Sequence, residues 1–146
     1  MTDTSMRAPA FSASVRAFLA RTHFITIATI DPDGRPRQAV VWYRLEGDEV
    51  VVNSRVGRRW PSNLLRDPRI SLAVTDEVDG DRWVGLIGDA IPVTDQATAQ
   101  ADIAEMARRY HADDPAEAER MIERQFEREE RISFRVSVRT VHDHRE

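Results

Sequence analysis

Residues 24–45 read Phe24-Ile25-Thr26-Ile27-Ala28-Thr29-Ile30, then Asp31-Pro32-Asp33-Gly34-Arg35-Pro36-Arg37, then Gln38-Ala39-Val40-Val41-Trp42-Tyr43-Arg44-Leu45. The first run is rich in β-branched residues, which suit a pleated, half-buried strand. The Asp-Pro-Asp-Gly block is a turn: proline presets φ and glycine accepts φ > 0. Gln38 to Leu45 then reads as a second strand. So short a connection makes the pair an antiparallel hairpin.

The same grammar continues outward. Glu46-Gly47-Asp48 turns again, and Glu49 to Asn53 is a third strand. Residues 54–60 (SRVGRRW) read as a loop, and Pro61 suits the first turn of a short helix over 61–66. Ile70 to Val74, Trp83 to Val93 and Ile132 to Val141 supply three more strands, with Asp79-Gly80 turning between the first two. On the N-terminal side, Phe11, Val15, Phe18 and Leu19 share one face of a helix over 11–20. Thr94 or Asp95 caps a helix reaching about His111, and Asp114-Pro115 starts another that aligns Ala118, Met121, Ile122, Gln125 and Phe126. Six short antiparallel strands in one small domain usually close on themselves to remove edges. The expectation is a mainly β (α+β) fold, a six-stranded antiparallel barrel with about four peripheral helices. Residues 1–10 read as a flexible tail and residues 11–146 as one domain.

Composition narrows the chemistry. The 146 residues carry 21 basic and 25 acidic groups, a net charge of −4 that gives no general attraction to nucleic acid or anionic membrane. No apolar run approaches the roughly 20 residues that span a bilayer, and the N-terminus lacks a signal pattern, so a cytoplasmic location is expected. Cysteine is absent, which removes disulfides, thiolate metal sites and cysteine nucleophiles. All 21 basic residues are arginine. Anions are therefore bound by guanidinium forks, backbone N–H groups or hydroxyls, and lysine-based chemistry is excluded.

The densest unusual cluster is Asn53-Ser54-Arg55-Val56-Gly57-Arg58-Arg59-Trp60-Pro61-Ser62-Asn63, which runs off a strand end, over a glycine, into a helix N-terminus. Arginines, hydroxyls and free helix N–H groups are the physical recipe for a phosphate site. A charged surface loop with no ligand is the other reading. Gln38 to Tyr43 offers a strand against which a flat aromatic ligand can lie; plain core packing is its alternative. Trp83 has the same ambiguity. His142-Asp143-His144 has chelating residues but stands near the chain end, where fraying is expected, so no metal site is assigned. No Walker loop, GxGxxG or triad signature is present. No side chain is singled out as a catalytic acid or base.

Taken together, Ile25 to Thr29 with Asp31 to Pro36, Val40 to Tyr43, Gly57-Arg58-Arg59 with Asn63 to Leu72, and Asp79 to Trp83 with Gly88 resemble the pyridoxamine 5′-phosphate oxidase-like split β-barrel group. The nearest branch looks like the actinobacterial flavin/deazaflavin oxidoreductases that use coenzyme F420. The resemblance covers about residues 11–141. It implies an FMN-binding-type split barrel, a homodimer, and two equivalent cofactor sites at the subunit interface. It places the cofactor phosphate against Asn53, Ser54, Arg55, Arg58, Arg59 and Asn63. The ring would lie near Gln38, Val41 and Trp42, with Trp83 reaching the pocket from its own or the partner subunit. Many relatives carry lysine where this chain has Arg59 or Trp60. The implied activity is hydride transfer between F420 and a planar conjugated small molecule. FMN is the alternative cofactor. A non-catalytic carrier of flavin, deazaflavin or haem is the alternative function.

Overall fold

The computed structural model describes residues 11–145; the expected tail over residues 1–10 lies outside them. In chain order the elements are α1 (Ala13–Ala20), β1 (Ile25–Ile30), β2 (Pro36–Val41), β3 (Arg44–Glu46), β4 (Glu49–Arg55), α2 (Arg59–Arg66), β5 (Arg69–Thr75), β6 (Trp83–Val93), α3 (Gln96–Tyr110), α4 (Pro115–Arg124) and β7 (Arg131–His144). A short 3-10 turn over Phe126–Arg128 joins the last two. The expected caps form, Asp95 and Asp114 accepting from the Thr98 and Glu117 N–H groups, and Pro115 opens α4; Ser12, not singled out in the sequence, caps α1 by accepting from Val15 N–H.

The described strands form one antiparallel sheet in the order β2-β1-β5-β6-β7-β4-β3. Its two edges, β2 and β3, are consecutive in the chain and separated only by Trp42 and Tyr43. Three peptide steps reach about 10 Å, so the sheet must curl until its edges lie side by side.

That geometry corrects the strand count from six to seven. The single strand expected over Gln38 to Leu45 changes partner partway: Pro36 to Val41 pairs with β1, whereas Arg44 to Glu46 pairs with β4. No straight strand can serve both neighbours, so the ladder breaks at Trp42-Tyr43. Tyr43 is fully buried, and its hydroxyl donates to Leu19 O at 2.7 Å. Other boundaries move as well. β4 runs on through Ser54 and Arg55, and α2 begins at Arg59, so the loop shrinks to Val56-Gly57-Arg58. Gly57 turns it at φ +97°, a conformation that L side chains rarely adopt. β7 continues to His144, paired with Trp83, so the C-terminal histidines are ordered rather than frayed.

Two apolar layers hold the molecule. Inside the curl, Ile25, Ile27, Tyr43, Val50, Val52, Leu72, Leu86 and Phe134 pack with Phe18 and Leu19 of α1. Outside β4, Val51 meets Ile103, Met106, Ala107, Ala118, Ile122 and Phe126 of the α3–α4 side. Coverage on both faces explains why Val50-Val51-Val52 is continuously apolar instead of alternating. Between Ile87 and Gly88 the β6–β7 register slips by one residue. A Cβ on Gly88 would stand 2.2 Å from Ser137 O, so only glycine permits that approach.

Candidate functional site

The end of β4, the N-terminus of α2 and the start of β7 bound a cleft of about 190 Å³, closed on its other side by α3 and the turn after α4. Its apolar wall is Val41, Trp42, Ile103, Met106 and Phe126. Its polar wall is Ser54, Arg55, Arg58 and Arg131. Trp60, buried against Phe134 with ring centres 6.0 Å apart, forms the floor.

The polar wall concentrates positive charge. Arg131 is buried, and its Nε donates to Asn53 Oδ1 at 3.0 Å while its Nη1 donates to Glu129 Oε1 at 2.6 Å. Its guanidinium lies over the Phe126 ring at 4.9 Å. Burial lowers its pKa first; Glu129 opposes that, and the charges of Arg58 and Arg55 lower it further. Glu129 also faces Arg55, at 3.9 Å. Among the described residues Arg58 has no carboxylate within ion-pair distance. Three guanidinium groups thus share one carboxylate, an arrangement that fits an added anion.

The remaining predicted site residues divide. Ser54 and Trp42 line the cleft; Trp42 stacks on Tyr110 with ring centres 5.1 Å apart and planes 11° apart. Asn53 lines it too, but its amide is engaged within the fold. Its Nδ2 donates to Ala99 O and Ser133 Oγ, each at 2.9 Å, so its evident role is to hold Arg131. Ser133 in turn donates to the buried Asp102, which takes Arg44 at 2.7 Å. Asn63 is buried away from the cleft, donating to Thr29 Oγ1 at 3.1 Å and Asp31 Oδ1 at 2.9 Å. It ties α2 to the first hairpin. Arg59 leans the same way, 3.5 Å from Asp31. Gln38 is exposed on β2 opposite Ala28, and Trp83 stands at the far end of β6; neither lines the cleft within one chain.

Sequence reasoning missed Arg131, Met106, Ile103 and Phe126. Nothing local distinguishes Arg131 among 21 arginines. Its position follows only from the β4–β7 register, which sets it opposite Arg55.

A larger groove of about 570 Å³ crosses the outer face of β1, β5 and β6, past Ala28, Ile30, Ile70 and Ile87. Its arginines are neutralised, Arg69 by Asp67 and Arg139 by Asp89. It offers apolar surface without converging charge.

A curled antiparallel sheet with a charged cleft at the β4–α2 junction is the architecture of a split-barrel protein. The chain belongs to the pyridoxamine 5′-phosphate oxidase family, whose model matches residues 11–144. Among solved structures it is similar to a conserved hypothetical protein of Mycobacterium tuberculosis, at 26% identity over 99% of this chain and 91% of that one, with a TM-score of 0.75. It is similar in fold to an F420 reductase, at 19% identity over 87% and 94% of the two chains and a TM-score of 0.69. The heme storage protein of Vibrio cholerae also shares the fold, at 17% identity over 92% and 95% and a TM-score of 0.69. No curated protein matches the sequence. No helix among the described residues is long and apolar enough to cross a membrane.

Proposed function

We propose that the protein is an F420-dependent oxidoreductase that transfers hydride between the deazaflavin and a planar conjugated small molecule. The observation that carries this reading is the Arg55–Arg58–Arg131 cluster with its single carboxylate, Glu129. Its donor set suits a phosphate, and the cleft volume suits the phosphate end of a cofactor whose ring lies outward along Val41 and Trp42. F420 carries carboxylates beyond its phosphate, which favours it over FMN at an arginine-rich surface.

The bound cofactor would supply the hydride chemistry. The chain supplies placement. Arg58 and Arg55 clamp the anion, Arg131 supports them from below, and Trp42, held by Tyr110, gives the ring a flat wall. No acid or base in the cleft is required, because solvent can deliver the proton. Dimerisation through the apolar groove over β1, β5 and β6 completes the reading, with the ring lying near the subunit boundary and a second chain bringing further residues to it.

A side-by-side fluorescence titration with F420 and FMN tests the proposal. Micromolar or tighter F420 binding with weak FMN binding supports it. The reverse preference makes the protein an FMN-dependent oxidoreductase on the same arginine clamp. Failure of both leaves the activity to be sought elsewhere, with haem the next ligand to titrate.

A further inference from the structure

Two sequence features that the cleft leaves unused meet at the other end of the sheet. In the β6–β7 register, Trp83 faces His144 and Gly85 faces His142. The Trp83 ring lies 5.2 Å from His142 and 5.4 Å from His144, centre to centre. The two imidazoles are 5.9 Å apart with planes 12° from parallel. Period-two alternation puts both on one face of β7 and sends Asp143 to the other. Gly85 makes the grouping possible, because a Cβ there would stand 2.8 Å from the Trp83 ring.

The strand end that presents them is anchored. Arg145 clamps Asp143 with two bonds, at 2.7 and 2.8 Å, and donates to Ser14 Oγ of α1 at 2.8 Å. Arg82 donates to Arg145 O. Both histidines remain exposed to solvent.

We propose that His142 and His144 together bind one borderline divalent transition-metal ion, of the Cu²⁺, Ni²⁺ or Zn²⁺ type, beside the Trp83 indole. With metal–nitrogen bonds of about 2.1 Å, the centres of two rings sharing an ion lie at most about 6.5 Å apart. The observed separation is inside that limit. Imidazole is the ligand type that copper, nickel and zinc prefer. Asp143, which lies on the other face of the strand, is held by Arg145 and does not reach the pair. Two imidazole nitrogens without a carboxylate do not suit hard, oxygen-seeking ions such as Mg²⁺, so selection falls to the nitrogen ligands. Among the described residues no third histidine, aspartate or glutamate joins the pair. Water or an outside donor completes the shell, so the ion exchanges and is not a structural plug. The site does not depend on the cofactor reading.

The test is a titration of the full chain with CuCl₂, NiCl₂, ZnCl₂ and MgCl₂, followed by calorimetry and tryptophan emission. The expected result is one ion per chain, in the order copper, then nickel, then zinc, with no response to magnesium. Affinity should fall by about tenfold or more in both His142→Ala and His144→Ala, and should fall on acidification, since both nitrogens must be unprotonated. His111→Gln should leave it unchanged. Trp83→Phe should keep the calorimetric affinity while removing most of the copper quench. Unchanged affinity in either histidine variant, or no saturable binding in the wild-type chain, would overturn the two-imidazole site.

Discussion

The hydroxyl of Tyr110 sits on the break between β2 and β3, taking the Tyr43 N–H at 3.1 Å and facing Tyr43 O at 3.3 Å. It also donates to His23 O. One phenol from the last turn of α3 therefore satisfies backbone groups that the strand interruption would leave without ladder partners. The same ring stacks under Trp42. Burial pushes the Tyr110 pKa up, against the opposing effects of the Tyr43 backbone bond and Arg109, so the phenol stays protonated at neutral pH.

Tyr110→Phe keeps the stack and removes the hydroxyl. Stranded backbone groups at Tyr43 and His23 cost about 1–3 kcal/mol. The expected outcome is a lower urea midpoint with near-native circular dichroism, accompanied by a change in Trp42 emission. An unchanged midpoint would mean that water replaces the phenol at no cost.

The arginines of residues 53–63 separate into two groups. Arg58→Ala should weaken cofactor binding by about 1.5–3 kcal/mol, the scale of a charge-assisted hydrogen bond. Arg59→Ala should do less, because Arg59 is drawn toward Asp31 instead of the cleft. Titration of both variants checks this. Equal losses would show that Arg59 swings into the site when ligand binds.

Arg131→Leu tests the buried support differently. It leaves Glu129 and the Asn53 carbonyl without their buried donor, so both stability and anion binding should fall. Removing one partner of a buried pair typically costs about 3–5 kcal/mol. A variant that loses cofactor affinity with its thermal midpoint intact would make Arg131 a direct ligand rather than a support.

Gly88→Ala drives a methyl into the Ser137 carbonyl, a backbone atom that cannot turn aside. Overpacking of this kind costs about 1–3 kcal/mol or more. Gly80→Ala, where nothing lies within 4 Å, is the matched control. Thermal melts of the pair should differ by several degrees.

Stability should erode in acid. The Asn63 hydrogen bond, then Arg37 and Arg59, hold the Asp31 pKa below the usual 3.8, and Arg69 holds Asp67 at about 2. Arg145 depresses Asp143 in the same way. Groups with depressed folded pKa values stabilise the native state above the unfolded pKa and lose that contribution as pH falls through the folded one. The loss should begin near pH 4 and continue toward pH 2, and a urea series across that range measures it. Asp31→Asn should flatten the profile.

The strands, turns and caps were legible because they are local. β-branched runs, Asp-Pro-Asp-Gly and the Asp95 and Asp114 caps each act within a few residues. The strand break at Trp42-Tyr43 was not legible, because Val40-Val41-Trp42-Tyr43 is a good strand sequence throughout. Only the need to serve β1 on one side and β4 on the other interrupts it. The candidate cleft was half legible. Ser54, Arg55 and Arg58 announce themselves by their density beside a helix start. Asn53 and Asn63 belong to the same cluster, yet their amides are engaged inside the fold by partners from α3, β7 and the first hairpin.

What the sequence determined by itself is the supply of parts: antiparallel strands, helices with caps, and a basic side-chain chemistry confined to arginine. Tertiary structure decided which of them meet. It set Arg131 across the ladder from Arg55, and it set Trp83 against His142 and His144. Residues far apart in the chain become neighbours through sheet order and register. Those depend on how the whole set of apolar faces is buried at once, and no local window of sequence contains that information.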